Sequence, residues 1–132
     1  MNEEQVRHYW RRLWSQGEVE FAHQFYAPTF LLNAGHTTPA EFAAGAAAWL
    51  AHFTDFRADV DRIYPIDGGI VSRVVYRAMH TGDFKAVPAA GRTLEVTGLD
   101  IFRFADGLVF EHLHEANHEL MWEQLGAELC IP

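Results

Sequence analysis

Apolar residues recur with a helical period over the first third of the chain and with a strand period over most of the rest. Val6, Tyr9, Trp10, Leu13 and Trp14 fall at i, i+3, i+4, i+7 and i+8, one stripe that predicts a helix from about Glu3 to Gln16. Asn2 is placed to cap it, Glu3 and Glu4 suit its positive end, and Gly17 can end it. A short second helix carries Val19, Ala22, Phe25 and Tyr26 and stops at Pro28. Phe30 to Ala34 reads as a strand and Gly35-His36 as a turn. Thr38-Pro39-Ala40-Glu41 is a capping box that opens a third helix with Phe42, Ala46, Trp49, Leu50 and Phe53 on its packed side.

From Phe56 the period changes. Phe56 to Ile66, Ile70 to Thr81, Arg92 to Ala105 and Leu108 to about Ala116 are long strand-like runs. Asp67-Gly68-Gly69 and Asp106-Gly107 mark hairpin turns, Gly82 to Gly91 reads as a loop, and Asn117 to Leu125 as a closing helical turn. Helices first and an antiparallel meander later predict an α+β domain. Its curved antiparallel sheet carries the N-terminal helices on the concave face, a cone-like α+β barrel around an apolar pocket.

The length of 132 residues predicts a single domain, 1–132, and 49% apolar with 14% aromatic residues is enough for a sizeable core. A formal charge of −8, with His neutral, argues against nucleic acid and anionic membranes as partners. No run is apolar enough to span a bilayer, and the acidic start lacks a secretory pattern, so the expected location is cytoplasmic. Cys130 is the only cysteine, which excludes an internal disulfide, and it is given no chemical role.

Strand alternation selects the polar groups that point inward. Asp100 shares a face with Gly98, Phe102 and Phe104; His112 and His114 share one with Leu108 and Phe110; His80 shares one with Val74, Tyr76 and Ala78. The Asp106-Gly107 turn places Asp100 and His114 nearly opposite, with β carbons about 5 Å apart. Burial would raise the Asp100 pKa and a His partner would oppose that rise. Such a pair can take a proton and return one. A single inward Asp or His is equally often a satisfied structural group, so it is the cluster that argues for a site.

His112, His114 and His118 have spacing that can chelate, but alternate strand residues always share a face, and no metal is expected. No nucleophile elbow surrounds Ser15, Ser72 or Cys130, and no Gly-rich phosphate loop is present, so no cofactor is expected. Arg7, Arg11 and Arg12 read as an outer helix face. Leu99, Ile101, Val109 and Leu113 alternate out of phase with the inward set and predict an apolar outer face that a homodimer would cover.

Residues His80-Thr81-Gly82-Asp83-Phe84, Gly91-Arg92, Gly98 to Arg103, Asp106 to His112 and Gln124-Leu125-Gly126 resemble the SnoaL-like polyketide cyclases, or ester cyclases, of the nuclear transport factor two-like superfamily. The likeness extends over nearly the whole chain. It implies that fold, and ring closure by intramolecular aldol condensation without metal or organic cofactor. The family's acid/base is the Asp of a Glu-His-Trp-Asp pattern, which here reads Glu111-His112-Leu113-His114. His114 thus stands at the Asp position and Leu113 at the Trp position. The family often has His or Asp where this chain has Asp100, so the pair reads as exchanged.

The expected function is cofactor-independent acid/base catalysis, cyclase- or isomerase-like, on a small apolar carbonyl compound. Asp100 is expected to abstract the proton, His114 to bond the enolate or return the proton, and His80 to orient the substrate. His112, Tyr76, Trp49, Phe53, Trp14 and Phe102 are expected to bind the substrate, with Trp10 a further wall candidate. The alternatives are a non-catalytic small-molecule binder or structural dimer, and a hydrolase of the epoxide-hydrolase kind on the same scaffold.

Overall fold

The structure, a computed structural model, describes residues 1–81 and 92–125, for Trp122 the backbone only. The expected loop at 82–91 and Cys130 lie outside the described residues. Asn2 and Gln5 form a reciprocal cap, each side chain bonding the other's backbone N–H (3.0 and 2.7 Å), and open α1, Glu3–Tyr9. The helix then widens to i→i+5 hydrogen bonds over Trp10–Ser15 and ends at Gly17, whose φ of +72° suits glycine. The expected single α-helix is thus α-helical for its first half and π-helical for its second.

A 3-10 turn, Val19–Phe21, leads into the short α2, Ala22–Phe25. Strand β1, Tyr26–Leu32, begins earlier than the sequence suggests: Tyr26 is its first residue, not part of a helix. Pro28 falls between Tyr26 and Leu31, where the pairing register slips, so its missing N–H breaks no regular ladder. Asn33 and Ala34 form the turn to β2, Gly35–Thr37, both with positive φ (48° and 70°). Thr38 caps α3, Pro39–Leu50, by accepting from the Glu41 N–H (3.3 Å), while the Glu41 carboxylate accepts instead from the Thr37 hydroxyl (3.1 Å).

The meander is β3, Phe53–Ile66, β4, Gly69–His80, β5, Thr93–Ala105, and β6, Leu108–Ala116. Asn117 caps α4, His118–Gln124, and Gln124 clamps the backbone N–H and C=O of Glu95 (both 2.7 Å). The α+β class holds. The sheet order is β2-β1-β6-β5-β4-β3, antiparallel except that β1 lies parallel to β6. The sheet is therefore mixed, and among the described residues it is open, with β2 and β3 at its edges, rather than closed into a barrel. No helix among the described residues is long and apolar enough to cross a membrane.

A β-bulge corrects the expected phase of β6. Arg103 pairs with Glu111 but Phe104 pairs with Val109, so Phe110 is the extra residue. Val109, expected on the outer face with Leu99, Ile101 and Leu113, is instead fully buried. Phe110, expected inside with His112, lies beneath the Arg103 guanidinium (5.2 Å). On the outer face Leu99 stays half exposed, amid the ion pairs Arg73–Asp61, Arg77–Asp59 and Arg103–Glu111.

Candidate active site

Phase along three neighbouring strands puts Tyr76 of β4, Asp100 of β5, and His112 and His114 of β6 on the helix-covered face. Asp100 is directly opposite His114 in the ladder. One carboxylate oxygen, Oδ1, lies 2.8 Å from His114 Nδ1 and 2.6 Å from His112 Nε2, and the other accepts from the Tyr76 hydroxyl (3.3 Å). Asp100 is completely buried and His112 nearly so, whereas the His114 side chain keeps 31% exposure. The far side of the His114 ring therefore meets the cavity.

Behind His112 the polar contacts continue into the core. His112 Nδ1 is 2.9 Å from the Tyr26 hydroxyl, which is 2.7 Å from the Tyr9 hydroxyl, and the Trp14 indole N–H donates to Tyr9 (3.1 Å). Tyr9 and Tyr26 were read from the sequence only as apolar stripe residues. The available signal was that a buried phenol needs a partner. Burial pushes the Tyr9, Tyr26 and Tyr76 phenols up, with the Asp100 charge adding to the effect.

Burial also works to raise Asp100, as expected. The hydrogen bonds from His112 and His114 and the attraction of both rings outweigh it, and the carboxyl ends below its ordinary value. Burial works to lower His114, but the bond to Asp100, that carboxylate's charge and Glu115 together leave it raised. The expected rise at Asp100 is thus reversed, and the raised group is the imidazole.

The cavity beside His114 measures about 250 Å³. Trp10, Trp14, Phe42, Trp49, Phe56 and Tyr76 form its aromatic wall, and Asn33, Asp100, His112, His114 and His118 its polar part. Of the expected binding residues, Trp14, Trp49, Tyr76 and His112 line this cavity. Phe53 and Phe102 do not line it: Phe53 packs on Trp49, Phe56 and His80, and Phe102 lies beneath His112 at 4.3 Å between ring centroids. His80 is buried beside Phe53 and does not line the cavity either, so the expected orienting contact is not formed there. Phe42, Asn33 and Phe56 were missed because the packing of α3, the β1–β2 turn and the start of β3 brings them in. Asn33 Oδ1 accepts from the His114 backbone N–H (2.8 Å), which ties the turn to the site.

Asp100, His112 and His114 offer donor atoms within 4.8 Å of one another. The imidazoles thus converge more closely than expected, with both nearest nitrogens already on Asp100 Oδ1. His118, the third histidine of the sequence-level metal reading, is exposed and holds its ring 6.5 Å from that of His114.

Gly98 makes the Tyr76 contact possible. A β carbon there would lie 2.7 Å from Tyr76 Cε2 and 3.2 Å from both the Tyr76 hydroxyl and the Glu115 carbonyl. Gly98→Ala is expected to push the phenol off Asp100 and to cost about 1–3 kcal/mol. Urea unfolding would measure the loss and a variant structure the ring position; an unmoved Tyr76 would refute the account.

An open mixed sheet with helices on one face and a buried Asp–His–His group beside an aromatic cavity defines an α+β pocket protein. The chain belongs to the SnoaL-like polyketide cyclase family, whose sequence pattern it matches over residues 4–125. Comparison with curated proteins gives no match. Among solved structures it is similar to a candidate polyketide cyclase from Acidithiobacillus ferrooxidans, at 18% identity over 93% of this chain and 92% of that one, TM-score 0.86. It is also similar to IdmH, a candidate polyketide cyclase from Streptomyces antibioticus, at 24% identity over 94% and 97%, TM-score 0.80. A protein of ketosteroid isomerase-like fold from Catenulispora acidiphila, solved with trimethylamine, matches at 14% identity over 97% and 96%, TM-score 0.78. Identities this low speak for the fold.

Proposed function

We propose that the chain is a cofactor-independent acid/base enzyme, cyclase- or isomerase-like, acting on a small, largely apolar carbonyl compound. The observation that carries this reading is the 2.8 Å contact between Asp100 and a half-buried His114 on the wall of an aromatic cavity. Asp100, held by three hydrogen-bond contacts, is a stable carboxylate and a weak base. The proposed roles are therefore exchanged relative to the sequence expectation: His114 Nε2 takes the proton, and Asp100 orients the ring and supports its positive charge.

In the proposed step a C–H bond next to the carbonyl breaks and its proton passes to His114 Nε2. The electron pair remains as an enolate. The enolate carbon then bonds to a second carbonyl carbon of the same molecule, and His114 returns the proton to the new alkoxide. Substrate and product are isomers, so no oxidant or reductant is required. A cavity of about 250 Å³ is below the usual range of roughly 300–1,000 Å³ and suits a compound of one or two rings. The family membership and the apolar wall both support this choice.

The test is α-proton exchange into deuterated water for a set of one- and two-ring ketones and β-dicarbonyls, followed by NMR. The wild-type protein is expected to catalyse exchange, and His114→Asn to lose about a hundred- to ten-thousand-fold of that rate. Binding without exchange would replace the enzyme reading with a non-catalytic binder. Opening of epoxide probes without ketone exchange would replace it with a hydrolase.

A further inference from the structure

We infer that Tyr9 and Tyr26 are positioning residues: with the Trp14 indole donating at its head, they form a one-way hydrogen-bond chain that fixes the tautomer of His112. The chain begins at a group with no choice. An indole N–H only donates, so at 3.1 Å the Tyr9 oxygen must accept from Trp14. The Tyr9 proton then needs an acceptor, and Tyr26, at 2.7 Å, is the partner within reach of this fully buried hydroxyl. Having accepted there, Tyr26 turns its own proton to His112 Nδ1 (2.9 Å). His112 must therefore present a lone pair at Nδ1 and carry its proton on Nε2, where it donates to Asp100 (2.6 Å). The reverse direction would leave the Tyr9 O–H without an acceptor among the described residues, a loss of about 1–3 kcal/mol for a buried group. Burial keeps all three phenols near the site protonated, so the direction does not lapse through ionisation.

Two consequences follow, one of which rests on the proposed function. With its Nε2 lone pair occupied by a proton, His112 is not free to ligate a metal. Asp100, His112 and His114 are then a hydrogen-bonded set rather than a three-ligand metal site, despite the proximity of their donor atoms. Where His114 is the catalytic base, the chain commits His112 to a neutral donor role and leaves the Asp100 charge to act on His114. Trp14 then both lines the cavity and donates into the head of a chain that ends on the far side of His112.

The experiment is the ¹⁵N imidazole spectrum of the ligand-free protein, with His112 assigned through its ring protons. Wild type is expected to show one His112 species, protonated at Nε2 and a hydrogen-bond acceptor at Nδ1. A wild-type His112 protonated at Nδ1 overturns the inference before any variant is made. Trp14→Phe removes only the donor into Tyr9; the Tyr9 O–H still has Tyr26 as its acceptor, so His112 is expected to keep its single Nε2-protonated species. Tyr26→Phe removes the contact itself and is expected to abolish the acceptor signature at Nδ1. A shift of His112 to Nδ1 protonation in folded Trp14→Phe, or an unchanged acceptor signature at Nδ1 in folded Tyr26→Phe, would overturn the chain's direction. None of these readouts depends on turnover, so the inference can fail while the acid/base reading stands, and the reverse.

Discussion

Asp100→Asn lowers turnover by about a hundred- to ten-thousand-fold and leaves the fold intact. The amide keeps the shape of the carboxylate, and its oxygen still accepts from His112 and His114, which both contact Asp100 Oδ1. Its NH2 replaces the oxygen that Tyr76 approaches, and the Tyr76 oxygen can accept from it. What disappears is the negative charge beside His114. The bond to Asp100 and its charge hold the His114 pKa up, so the variant's His114 value falls. The acidic limb of the pH–rate profile, where His114 becomes protonated, moves to lower pH as the rate drops. A rate within a few-fold of wild type would remove Asp100 from the mechanism.

The same pair leaves a signature in stability. A raised histidine contributes stability that is complete below its unfolded value, about 6.5, and is lost as pH rises through its folded value. A lowered carboxyl contributes stability present above its unfolded value, about 3.9, and lost as pH falls through its folded value. Their joint contribution is greatest between these two unfolded values. Urea unfolding of wild type and Asp100→Asn across pH is expected to show a difference that narrows on both sides of that window.

Phe102→Ala costs about 3–5 kcal/mol. The ring has no exposed surface and packs against Tyr9, Phe25, Trp10 and His112, with centroids 5.4, 5.3, 6.0 and 4.3 Å away. These neighbours come from two helices and a strand that cannot collapse inward together, so a cavity remains and its contacts are lost. A typical domain is stable by about 5–15 kcal/mol, so the variant is left marginal. Urea unfolding with an unchanged m-value would measure the loss, and a cost below about 1 kcal/mol would show that the core refills the space. Phe102 also supports His112 from below, so the His112 ring should become mobile in whatever folded protein remains.

Much of the fold and the heart of the site were legible in the chain. Period and turn chemistry placed α3 and the hairpins, and equidistance from the Asp106-Gly107 turn put Asp100 opposite His114. These are local properties, set by a few consecutive residues and one antiparallel register.

Three features needed the whole molecule. The bulge at Phe110 inverts part of β6, and nothing in the alternation of Val109 and Phe110 announces an extra residue. The parallel pairing of β1 with β6 joins segments about eighty residues apart, as in Leu32 with His112, and leaves the sheet mixed and open. The charge state of the site was decided by tertiary contacts as well. Alternation put Asp100 in an apolar interior, where desolvation raises a carboxyl. Only the folded chain shows both imidazoles on one oxygen, together with Tyr9, Tyr26 and Trp14 lined up behind them. Sequence pattern determines which face a side chain takes, because that follows from backbone geometry. Which groups share protons depends on distances of about 3 Å between elements distant in the chain, and those are fixed only when the layers pack.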